Sequence, residues 1–154
     1  MKRFCHALLS VSLLLAGLGL AWASEKKVKM EDLPPAVQAT VREQSKGATI
    51  RGLSMEVEKG KTIYEAELTV NGHGKDVSID ASGAIVEVEE EVALESIPAA
   101  AKSALLKAAG AGKVLKVESV TQGSTVVAYE ATVMKGTKRS EVRVKPDGSP
   151  APED

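Results

Sequence analysis

From residue 53 to 58, and again from 64 to 70, this chain alternates strictly between apolar and polar side chains. Leu53, Met55 and Val57 are interleaved with Ser54, Glu56 and Glu58, and then Tyr64, Ala66, Leu68 and Val70 with Glu65, Glu67 and Thr69. A period of two fits only a strand with one face buried and the other wet. Flexible residues cluster between such runs, at Lys59-Gly60-Lys61 and at Asn71-Gly72-His73-Gly74, and predict hairpin turns. Val77 and Ile79 supply a third strand, closed by Asp80-Ala81-Ser82-Gly83.

The same order returns further along. At an offset of 65, Tyr64-Glu65-Ala66 falls on Tyr129-Glu130-Ala131, Val77 on Val142, Ile79 on Val144 and Gly83 on Gly148; Pro34 matches Pro98 one residue short of that offset. Self-similarity in one register predicts an internal duplication. Leu33-Pro34 and Ile97-Pro98 open stretches of helical spacing, with Val37 and Val41 in the first and Ala101, Ala104, Leu105 and Ala108 in the second. Proline suits a first turn, Ser96 is a candidate cap, and Gly47 and Gly110 are stops. Tyr64 and Tyr129, alternating with Ala66, Leu68, Ala131 and Val133, are expected in the core.

The expected fold class is therefore α+β: two tandem helix-plus-three/four-strand repeats forming one antiparallel sheet with two helices on one face. Residues 28–92 would be the first repeat and 93–148 the second, with 149–154 a disordered tail. Residues 84–94, where Val86, Val88 and Val92 alternate with Glu87, Glu89 and Glu91, form either a fourth strand joining the repeats or a solvated charged linker, the strand being preferred.

Lys2 and Arg3, an uncharged apolar run from Ala7 to Leu20 and Ala21-Trp22-Ala23 read as a signal peptide over residues 1–23, cleaved near Ala23. The run is shorter than the roughly 20 residues of a bilayer span, so no membrane span is expected in the mature form, and the location is periplasmic or secreted. Past residue 23 the chain has no cysteine, one histidine (His73) and two aromatic residues, Tyr64 and Tyr129. That excludes a disulfide framework and a His/Cys zinc site, and leaves aliphatic packing to supply the core.

Residues 24–92 carry 9 Lys plus Arg against 14 Asp plus Glu, and residues 93–154 carry 9 against 7. Without a basic excess, nucleic acid is not an expected partner. No catalytic constellation is visible: His73, placed in a turn between two glycines, lacks the positioned partner a general base needs. The chain is expected to be non-enzymatic and without a cofactor.

An apolar-Pro helix start, a Tyr-Glu-Ala hairpin, a polar turn and a strand ending in Asp-x-x-Gly or Pro-Asp-Gly together resemble the PepSY-like superfamily. The likeness is to its tandem form similar to β-lactamase inhibitory protein, and spans about Leu33 to Gly148. The resemblance implies an exported module that binds, and inhibits or modulates, a peptidase or other envelope protein through its exposed sheet face. The chain departs from the inhibitor in lacking cysteines and an aromatic-rich surface.

The outward strand positions carry the chemistry. Glu56, Glu65, Glu67, Asp76 and Asp80 make the first half's face acidic, while Glu130, Thr132 and Arg143, with Glu141 and Lys145, make the second mixed. These eight, Glu56 to Asp80 with Glu130, Thr132 and Arg143, are the candidate partner-binding residues. An alternative function is that of a periplasmic cation-binding or stress-related protein using the acidic face; an ordinary solvated face would show the same residues.

Overall fold

The structure, a computed structural model, describes residues 25–58 and 60–152. The expected signal peptide and the last two residues lie outside the described residues. The chain forms β1 (Lys26–Lys27), α1 (Pro35–Gln44), β2 (Thr49–Glu58), β3 (Lys61–Val70), β4 (His73–Asp80), β5 (Ile85–Glu91), α2 (Ala99–Ala109), β6 (Lys113–Gln122), β7 (Thr125–Lys135) and β8 (Lys138–Val144). All strands belong to one antiparallel sheet, and their order in space is their order in the chain, β1 to β8.

This corrects the expected fold class. The structure shows no two-repeat arrangement; it is one continuous eight-stranded meander carrying two helices. The cause lies in residues 84–94, where Ile85–Glu91 is strand and not linker. β5 pairs on one edge with β4 (Val77↔Val88, Asp76↔Glu89) and on the other with β6 (Glu89↔Val120, Glu91↔Glu118), so the ladder has no seam there. The self-match at an offset of 65 records similar local pattern, and backbone pairing disregards it.

Each helix begins where the sequence expects, but without a side-chain cap: Pro34 and Pro98 are themselves the N-cap residues. Ser96 instead donates its hydroxyl hydrogen bond to the Ala93 carbonyl at 2.7 Å. Gly110 ends α2 at φ 56°. Asn71 and Gly72, both at positive φ, make the β3–β4 turn, the primed geometry that matches strand twist. His73 is consequently the first residue of β4, paired with Val70, and not part of the turn.

Both helices cover the same face of the sheet. α1 places Val37 and Val41 on Ala66, Leu68, Val77 and Ile79. α2 places Ala101, Leu105 and Ala109 on Val117, Ala131, Val133 and Val144. Tyr64 and Tyr129 pack at the margins of these two clusters, half-buried. Between the clusters the helix side carries the cross-strand ion pair Lys75–Glu90, 3.2 Å.

The turns after β4 and β8 pin the first turn of each helix. At Gly83 (φ +87°) a Cβ would lie 2.9 Å from the backbone of Ala36, and at Gly148 (φ +82°) 2.7 Å from the carbonyl oxygen of Ala100. Gly60 shares the left-handed backbone (φ +79°) but has nothing within 4 Å. Gly60→Ala should therefore cost only the left-handed backbone penalty of about 1–2 kcal/mol. Gly83→Ala and Gly148→Ala should cost more, because helix and turn must separate. Equal losses for all three in urea melts would show that these close approaches do not hold the helices.

Candidate functional site

The face away from the helices is the candidate site. Alternation along β3, β4, β5 and β7 sends Glu65, Glu67, Asp76, Glu89 and Glu130 to it, opposite Ala66, Val77, Val88 and Ala131 on the helix side. Register breaks leave one extra residue in each of four places: Arg51 in β2, Val86 in β5, Leu115 in β6 and Val127 in β7. Such bulges bend a strand and increase its twist. The sheet curls: Glu25 beside β1 and Lys138 and Arg139 of β8 line one cleft of about 1100 Å³. In a flat sheet those edges would stand roughly 34 Å apart.

Register sets the acids in two cross-strand rows. Glu67, Asp76 and Glu89 face one another in succession across β3, β4 and β5, and Glu91, Glu118 and Glu130 across β5, β6 and β7. Like charges directly opposite are destabilising, and several are offset by cations. Arg51, turned inward at the β2 bulge, donates to Asp76 at 2.9 Å and lies 3.7 Å from Glu67. Lys116 donates to Glu118 at 2.7 Å, with that glutamate only 3% exposed. Arg143 donates to both carboxylate oxygens of Glu87 at 3.0 Å, and Gln122 donates to the same group at 2.8 Å.

Glu65, Glu89 and Glu130, on alternate strands, have neither a hydrogen bond nor an ion pair among the described residues. Burial, reinforced by Asp76 and neighbouring glutamates, pushes the Glu65 carboxyl up to about 7. Burial and then Glu130 and Glu118 push Glu89 to about 8, and burial with Glu141 pushes Glu130 to about 7. Asp76 is raised by burial against the opposing pull of Arg51. Lys116 is raised despite burial, because Glu118 holds its proton. Carboxylate oxygens of Asp76, Glu89 and Glu118 all lie within 4.8 Å of one another, a set that could take a hard cation.

Of the eight residues singled out from sequence, Glu65, Glu67, Asp76, Glu130 and Arg143 line the cleft. Glu56 lies outside the lining, on the same face, close enough for its charge to raise Glu65. Thr132 is 3% exposed and its hydroxyl accepts from Arg139 at 3.5 Å, so it belongs to the floor. Asp80 ends β4 and accepts from the Ser82 amide and hydroxyl and the Ala84 amide, which lowers its pKa and fastens the turn.

Sequence reasoning left Glu25, Arg51, Glu89, Lys116 and Glu118 out of the site. The bulge at Leu115 hides the start of β6, and although Lys116 and Glu118 do alternate with Val117, Val120 then places an apolar residue, fully buried, on the charged face. Arg51 is likewise masked by the bulge it sits in.

Glu65, Glu89 and Glu130 bind more protons folded than unfolded between about pH 4.5 and 8, so stability falls as pH rises through that window. Around Glu89 the charged groups are Glu87 on its own strand, Asp76 on β4, Lys116 and Glu118 on β6, Glu130 on β7 and Arg143 on β8. Glu89→Gln should raise the melting temperature by several degrees at pH 8.5 and little at pH 5. A wild-type melting temperature that climbs from pH 5 to 8.5 would refute this account of the cleft.

No protein-family model matches the chain, and no curated protein is similar enough to count as a relative. Solved structures do share its fold. One is a candidate periplasmic protein of Bacteroides eggerthii, 20% identical over 77% of this chain and 85% of that one, TM-score 0.60. A DUF2874-family protein of Bacteroides ovatus matches at 20% identity over 77% and 84%, TM-score 0.56. A BLIP-like protein of Bacteroides fragilis matches at 22% identity over 77% and 83%, TM-score 0.52. At these identities the likeness is one of fold: the chain has the fold of a BLIP-like protein. Among the described residues no helix is long and apolar enough to cross a membrane.

Proposed function

We propose that this protein is an exported, non-catalytic module that binds another protein through the concave face of its sheet. The observation that carries the reading is the cleft of about 1100 Å³, lined by charged side chains contributed from one end of the sheet to the other. Cross-strand acid rows are costly for the fold alone, and departures from local stability rules concentrate where function requires them. Support from outside the chain comes from the fold shared with a BLIP-like protein and with a candidate periplasmic protein. A peptidase partner is the finer form of the reading, and rests on the resemblance to PepSY-like modules.

A second reading has one specific observation in its favour. Asp76, Glu89 and Glu118 could hold a divalent cation, which would make the protein a cation-binding envelope component.

The two separate in one pair of measurements. Affinity capture from the native envelope fraction with the wild-type chain, and with Glu67→Lys and Glu130→Lys introduced into the cleft, should show a specific partner bound at least tenfold more weakly by the variant, about 1.4 kcal/mol. Calcium at 10 mM should leave the melting temperature unchanged. Absence of a cleft-dependent partner, together with a calcium-induced rise that Asp76→Asn abolishes, would replace the first reading with the second.

A further inference from the structure

The charges of the cleft are sorted by position as well as by number. Toward β1–β5 it is lined by Glu25, Glu65, Glu67, Asp76 and Glu89, with Arg51 the lone cation there, and that cation is already engaged by Asp76. Toward β6–β8 the balance reverses: the cations Lys116, Lys138, Arg139 and Arg143 outnumber the acids Glu118, Glu130 and Glu141. Lys138 and Arg139 are exposed at the rim, whereas Arg143 is held at depth by Glu87. The stretch between is lined by the ion-paired Lys116 and Glu118 and by Glu130, with Val120 and the cross-strand Ala128 of this face fully covered. A surface of this kind discriminates by orientation: an occupant whose charges run the wrong way meets repulsion at both ends.

Resting on the protein-binding reading, we propose that the partner inserts a segment of fixed polarity, with one basic side chain seated over Glu65, a second over Glu89, and an acidic one facing Lys138 and Arg139. Glu65 and Glu89 are half-buried and have no partner among the described residues, so an arriving guanidinium or ammonium displaces no existing ion pair. At the other end the exposed lysine and arginine are reached by a carboxylate at the rim. Glu65 lies five strand spacings from β8, about 24 Å along the sheet and less across its concavity, and Glu89 three, about 14 Å. A segment of about nine extended residues, reaching about 30 Å, spans the longer of these.

The polarity is tested with a nine-residue Gly-Ser peptide that carries two arginines at one end and two aspartates at the other. Its zero net charge removes simple attraction to an acidic protein. With a nitroxide on the arginine end and the protein labelled with nitrogen-15, paramagnetic broadening is expected in the amides of β3–β5. Moving the nitroxide to the aspartate end should move the broadening to β8. Glu65→Lys combined with Lys138→Glu should weaken or reverse the preference, with native amide dispersion confirming that the variant is folded. Identical broadening from both label positions, the opposite polarity, or no cleft broadening at 5 mM peptide would overturn the proposal. Should a partner captured from the envelope still depend on Glu67 and Glu130 in that event, the protein-binding reading survives and only the polarity falls; loss of both rejects the reading itself.

Discussion

The pairing of β5 on both of its edges is the constraint from which the rest of the molecule follows. With β4 on one side and β6 on the other, it makes one sheet out of two stretches that would each leave an unpaired edge. Exposed edges invite uncontrolled pairing, and among the described residues the terminal strands are the two-residue β1 and the charged β8. The backbone beyond β8 also folds back on it, with the Ala151 amide donating to the Arg143 carbonyl at 3.3 Å. The same pairing brings Glu89 into line with Asp76 and sets Glu91 opposite Glu118, so the acidic rows of the open face are a direct product of it.

Stability and the open face pull against each other. The helix side is built from aliphatic groups alone, with Leu68, Ile79 and Leu105 the largest fully buried and Val37, Val41, Ala66, Val77, Ala101 and Ala131 packed around them. Gly83 and Gly148 bring the turns against the helix backbones on the same side. On the other side, unpaired carboxylates at Glu65, Glu89 and Glu130 sit where burial resists their ionisation. A fold under selection for stability alone would replace them with apolar or amide side chains. Their presence argues that the face answers to something outside the fold.

Much of this was legible in the chain because alternation is a local signal. Glu65, Glu67, Asp76, Glu130 and Arg143 could be assigned to one face by counting twos from Tyr64 or Tyr129, and they do line one cleft. What could not be read was whatever depends on curvature. A bulge shifts the count by one, which concealed Arg51 and the start of β6. The curl turns a face expected to be open into a cleft that buries Glu118 and Thr132. The repeat organisation failed for a related reason: similarity at an offset of 65 constrains side-chain pattern, whereas the organisation of the sheet is decided by which backbone edges meet, and β5 meets both.

The chemistry of the face also bears on how tightly and how quickly it could bind. Interfaces of high affinity concentrate their energy in a few buried aromatic and arginine anchors, and Tyr64 and Tyr129, the only aromatic side chains after residue 23, are committed to the helix side. Affinity in the proposed complex must then come chiefly from desolvated ion pairs, because Val120 and Ala128, the apolar residues of this face, are themselves covered. Exposed charges at the rim, Lys138 and Arg139 above all, accelerate and orient encounter, and salt screens them over about 10 Å. The half-buried acids are screened less and govern how long the complex lasts. Because three of them hold protons up to about pH 7 or 8, a basic side chain that settles among them must expel protons to do so. In the proposed complex binding and proton release would thereby be linked: the conditions that stabilise the empty protein are those that would weaken its hold on a cationic partner.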